Sequence, residues 1–147
     1  MSARRFSLCR ADEGTSLVEF ALIAPFLVLL LIGLVEVGRY TAFAIQVSNA
    51  ARAGAAFGAR DGYSNDIVGM QNAATNDGQL SQITAKATNS CTCADGTASD
   101  CSQTSCSASH VIVYVHVNTS GTFNALFNYP GIGSSVPISD TATMQVP

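Results

Sequence analysis

A chain of 147 residues that commits one long apolar run to something other than a water-soluble core keeps about a hundred residues for folding in water, enough for one small domain. Charged side chains make up only 12 % of it, the net charge is −3, and the seven Lys and Arg are scattered rather than clustered. That balance excludes a basic surface for nucleic acid.

The first residues, Met1 to Glu13, carry Arg4, Arg5 and Arg10 and lead directly into the apolar stretch GTSLVEFALIAPFLVLLLIGLVEVGRY, Gly14 to Tyr40. From Phe20 to Val35 there is no charged side chain. With Leu17 and Val18, this span approaches the roughly 20 residues a bilayer-crossing helix requires. Glu19 and Glu36 would lie about 25 Å apart along such a helix, near opposite edges of a ~30 Å hydrocarbon layer, so neither forbids insertion. No small-x-small cleavage site follows the run before Glu36, and the run is long for a secretory signal, so it is expected to be retained. Three arginines before the span, against Arg39 and Arg52 after it, favour a cytoplasmic N-terminus.

Two residues inside the run need an account. A carboxylate such as Glu19 costs up to ~3 kcal/mol to bury in hydrocarbon, so it must find a partner or snorkel to the headgroups. Pro25 removes a backbone donor and crowds the carbonyl four residues earlier, which predicts a kink or local loosening, either as a yielding point or as a purely structural proline.

Beyond Glu36 the helical pattern continues, because Tyr40, Phe43, Ala44, Val47, Ala50, Ala51, Gly54 and Phe57 recur at three-and-four spacing. This small-residue face can approach a second membrane helix or dock on the chain's own C-terminal sheet. Glu36 and Arg39 are spaced to pair at the helix surface as a solvated interface anchor beside Tyr40.

Asp61-Gly62 and Ser64-Asn65 form a turn cluster, with Ser64 or Asn65 placed to cap a short helix that runs to about Thr75 and ends at Asn76-Asp77-Gly78. Ile83 to Thr88 alternates like a strand. Cys91, Cys93, Cys101 and Cys106 then fall within a short Ser/Thr-rich stretch, whereas Cys9 precedes the span. Outside the cytoplasm such a cluster reads as two disulfides, with 91–101 and 93–106, or 91–106 and 93–101, as the unstrained pairings. Zinc is the rival reading, with His110 as an extra ligand, although C-x-C-x7-C-x4-C does not match the common C-x2-C pairs.

His110 to Asn118 is the clearest strand, with Val111, Val113, Val115 and Val117 on one face and His110, Ile112, Tyr114 and His116 on the other. Two histidines four apart on a strand are too far along it to share a metal ion easily, and they read as surface residues. Asn118-Thr119-Ser120 matches a glycosylation sequon. Gly121 to Pro137 reads as a loop with aromatics Phe123, Phe127 and Tyr129, and Ile138 to Val146 as a last strand.

The fold expected is therefore α+β: a long N-terminal transmembrane helix, then a small head with a short helix and an antiparallel sheet of about three strands. The divisions are a leader over 1–14, the helix over 15–60 and an extracytoplasmic head over 61–147. No Ser-His-Asp arrangement, phosphate-cradling loop or paired-carboxylate pocket is legible, so neither an enzyme nor a cofactor or metal protein is expected.

The stretch G-TSLVE-F, with Glu19 fifth when the chain is counted from Thr15 and the aromatic Phe20 after it, resembles the prepilin peptidase site of type IV pilin-like proteins. Together with EFALIAPFLVLLLIGLVEVGRY and QVSNAARAGAAFGAR, it is similar to the TadE-like family of the tight-adherence pilus system. The resemblance implies processing between Gly14 and Thr15, and assembly roles for Glu19, Phe20 and the central Pro25. In that setting the partner of Glu19 is the new α-amine of Thr15, in its own chain or in a neighbour. It also implies a minor pseudopilin anchored in a bacterial inner membrane, with a periplasmic head and a route into an extracellular pilus. Its partners would be prepilin peptidase, other pilin-like subunits, the inner-membrane assembly platform and lipid. The alternative is an unprocessed single-pass adaptor with an extracytoplasmic interaction domain.

Overall fold

The computed structural model describes residues 13–78, 82–102, 106, 110–127 and 133–147. The leader expected over residues 1–14, apart from Glu13 and Gly14, lies outside them, as do Cys9 and Tyr129. The element order is α1 (Glu13–Gly58), α2 (Ile67–Asp77), β1 (Thr84–Cys93), β2 (Ala98–Ser99), β3 (Val111–Asn124) and β4 (Ser135–Gln145). The class is α+β, as expected, and the antiparallel sheet has four strands in the order β2-β1-β3-β4.

The chain divides between Gly38 and Arg39 into two compact units. The first holds the apolar part of α1. Thr15–Gly58 is long and apolar enough to cross a membrane, and its most apolar stretch is not buried. Leu, Val, Ile and Phe side chains from Leu17 to Val35 lie largely exposed, a surface that water does not tolerate and lipid does. α1 is continuous through Pro25.

In the second unit the remainder of α1 packs on the sheet. Val47, Ala50, Ala51 and Ala55 are fully buried, with Phe43 and Phe57 partly so, which is the small-residue face read from the spacing. Of its two readings, the head's own sheet occupies this face. Gly54 is placed where a Cβ would stand 2.8 Å from the Met70 carbonyl and 2.9 Å from Val117 Cγ1, so its lack of a side chain sets the approach of α1 to α2 and β3.

After Gly58 the chain turns at Gly62, whose φ of 82° suits glycine, and α2 starts at a cap formed by Asp66. The Gly69 amide donates to Asp66 Oδ1 at 2.8 Å, so the cap is Asp66 rather than Ser64 or Asn65. Those two residues tie the loop to the sheet instead, because Asn89 Nδ2 donates to the Ser64 carbonyl and to Asn65 Oδ1. Gly78 closes α2, its amide donating to the Ala74 carbonyl.

β3 is one of the two interior strands and runs longer than its β-branched core suggests. Its burial alternates from Val115 to Phe123, with Val115, Val117, Thr119, Gly121 and Phe123 turned inward. The segment 121–137, read as a loop, thus supplies the end of β3 and the start of β4, with Gly121 opposite Ile138 and Phe123 opposite Val136. Likewise β1 continues past Thr88 to Cys93, and Asp95-Gly96 turns it into β2, with Gly96 at φ 87°.

Candidate functional site

The residues singled out for processing and assembly fall in the first turns of α1. Gly14 and Thr15 are helical, and Glu19 follows Thr15 by four residues, one turn later on the same face. Side chains of a helix tend to lean toward its N-terminus, which places residue 19 over the turn that holds Thr15. In the intact chain the Thr15 nitrogen is an amide; cleavage after Gly14 would turn it into an ammonium group one turn from Glu19. Glu19 is exposed. Phe20 is 66 % exposed beside it. Pro25 lies one and a half turns on, within the helix.

At the other end of the apolar run Glu36, expected as part of a solvated anchor with Arg39, is not solvated. Glu36 is buried, at 8 % exposure, while the Arg39 guanidinium carbon lies 5.4 Å from the centre of the Phe123 ring. Tyr40 meets the same ring edge-on at 5.5 Å.

The four clustered cysteines are joined as Cys91–Cys101 and Cys93–Cys106. Strand register explains the choice. Cys91 pairs with Ser99 across the β1–β2 hairpin, so Cys101, two residues beyond, returns to it with a Cα separation of 5.1 Å. Bridged this way, the four sulfurs retain no thiolate for zinc.

His116 has both ring nitrogens in hydrogen bonds, Nε2 with Ser90 Oγ and Nδ1 with Thr143 Oγ1, each at 2.8 Å. The result is a polar rung across β1, β3 and β4 on the face away from the helices. His110 lies just before β3 and is exposed. Among the described residues no three His, Cys, Asp or Glu side chains converge on a metal-sized site.

Sequence reasoning passed over a different constellation, in which side chains of β3 and β4 grip α1. Thr119 is fully buried, and its hydroxyl donates to the Val47 carbonyl at 2.7 Å. On β4, Asp140 accepts a hydrogen bond from the Ser48 hydroxyl and one from the Thr141 amide; with Arg52 nearby, these hold its carboxyl below the ordinary 3.8. The odd-numbered valines of β3 pointed to Thr119, since 119 continues their face; nothing local pointed to Asp140.

A search of curated proteins and of solved structures found no match to this chain. A family model described as TadE-like protein matches residues 14–56, a range contained within α1 and beginning at the glycine of the G-TSLVE-F motif. The matched residues cover the apolar run and most of the face that docks on the sheet, so the similarity to that family is carried by α1, and the disulfide-bridged head lies outside it.

Proposed function

We propose that the chain is a minor pseudopilin-like structural subunit of a tight-adherence pilus, processed between Gly14 and Thr15 and working by assembly rather than by turnover. The observation that carries this reading is a coincidence at one place: the TadE-like match begins at the glycine of the G-TSLVE-F motif, within a helix that runs on uninterrupted through the lipid-compatible span. Before assembly α1 would be stored across a bacterial inner membrane, with the leader arginines in the cytoplasm and the head in the periplasm. An oxidising periplasm suits the two disulfides. Prepilin peptidase would act first. The Thr15 ammonium group would then neutralise Glu19 within its own helix or across to a neighbouring subunit, which lowers the cost of holding a carboxylate beside hydrocarbon.

The test is the mass and N-terminal residue of the protein purified from membranes of cells with and without prepilin peptidase. A peptidase-dependent start at Thr15 is expected. Glu19→Ala should then leave membrane insertion and the head's fold unchanged while reducing recovery of the subunit with pilus components. An intact leader in both strains would overturn the reading and leave an unprocessed single-pass adaptor in its place.

A further inference from the structure

The contacts between α1 and β3 fix a direction. Gly58 lies against Val115, Gly54 against Val117, the Val47 carbonyl against Thr119, Phe43 against Gly121 and Tyr40 against Phe123. As β3 advances from Val115 to Phe123, about 26 Å of strand, the helix is read backwards from Gly58 to Tyr40, about 27 Å. β3 therefore runs antiparallel to this part of α1, and its C-terminal end is the end at which the chain enters the head from the apolar run. The cysteine cluster, next to the start of β3, is at the opposite end.

Just past β3, the Ala125 amide donates to the Ser134 carbonyl and closes the base of the β3–β4 connection. Leu126 and Phe127 follow, 61 % and 48 % exposed. Two large apolar side chains in water forgo roughly 1.5–3 kcal/mol each relative to burial. They stand in a sequence without a charged residue from Gly121 to Ser139, and one strand-end away from the Arg39, Tyr40 and Phe123 group. Arginine with aromatic rings is the side-chain mixture of the headgroup layer.

We propose that Leu126 and Phe127 insert into the interfacial layer of the bilayer that α1 crosses, so that lipid holds the head by a second contact. The occupant is lipid because the chain reaches this end of the head directly from a lipid-compatible span, and the strand direction puts both residues at that same end. The inference rests on the membrane reading of α1. A subunit leaving the bilayer would have to release this contact as well as its helix.

The chain contains no tryptophan, so single replacements report their own surroundings. Full-length Phe127→Trp, reconstituted in phosphatidylglycerol-containing vesicles, should lose about half its emission when the lipid is brominated high on the acyl chain, and less when it is brominated deep. Leu126→Trp should behave alike and serves if the first variant does not fold. Tyr63→Trp, in the turn beyond the far end of α1, should be unaffected. Phe26→Trp, within the span, should be quenched by the deep label. Quenching of Phe26→Trp without quenching at 126 or 127 would overturn the inference while leaving the membrane reading intact. Protection of Phe127→Trp from acrylamide without quenching by brominated lipid would overturn it in favour of a protein partner. Failure to quench Phe26→Trp would remove the membrane reading itself, and this inference with it.

Discussion

Thr119 donates its hydroxyl to a carbonyl in the middle of α1, which already serves the helix, and so holds strand to helix through a spare lone pair. Thr119→Val keeps the shape and removes the bond, and should cost about 1 kcal/mol in guanidinium unfolding of the full chain in detergent. An unchanged midpoint would mean that packing alone seats the strand. The Asp140 carboxylate does the same from β4, toward Ser48 and Arg52. Because its folded-state pKa lies below the unfolded value, its contribution is fully present above about pH 4 and is lost as pH falls through the folded value. Asp140→Asn should therefore flatten the acid limb of the stability profile, measured as midpoint against pH, with Asp95, lowered by the Thr97 hydroxyl and amide, left to titrate. An acid limb as steep as that of the parent chain would assign it to other carboxylates. The alternation of β3 implied an inward Thr119, but Asp140 could not be read, since Ser48 and Arg52 are some ninety residues away in sequence.

Among the elements, α1 uses its glycines in two ways that its sequence does not distinguish. A Cβ on Gly33 would meet nothing within 4 Å, whereas one on Gly54 would meet backbone and two side chains at 2.8–3.0 Å. Gly54→Ala should lose about 1–3 kcal/mol despite its better helix propensity, because the Met70 carbonyl cannot rotate away, and Gly33→Ala should be neutral or slightly stabilising. Thermal unfolding of both variants in the same detergent checks this; equal midpoints would show that the interface yields. The sheet shows a similar limit. Dense β-branching marked β3 as far as Asn118, but its last residues, Thr119 to Asn124, are mixed in type and are held as strand by β4 alongside them. Asp95-Gly96 is a hairpin dipeptide that marks the β1–β2 turn, and the surrounding cysteines obscured it.

Across the whole molecule, two kinds of surface divide the chain. Residues before Arg39 offer apolar side chains outward, and those after it bury them between α1, α2 and the sheet. Local pattern was enough to mark the apolar run, its acidic residues, the G-TSLVE-F stretch, the helix beyond the run and the valine strand, because each depends on neighbours within a few turns or on a run of one polarity. What the Ala/Gly face touches, which residue caps α2, how the cysteines pair and where the two apolar residues after β3 lie came only from the folded chain. A small-residue face accepts either a foreign helix or its own sheet with equal ease, and four close cysteines fit two pairings equally well. The face was settled by strands that meet α1 across long stretches of chain, and the pairing by the register of the β1–β2 hairpin, information that residue type and spacing alone do not hold.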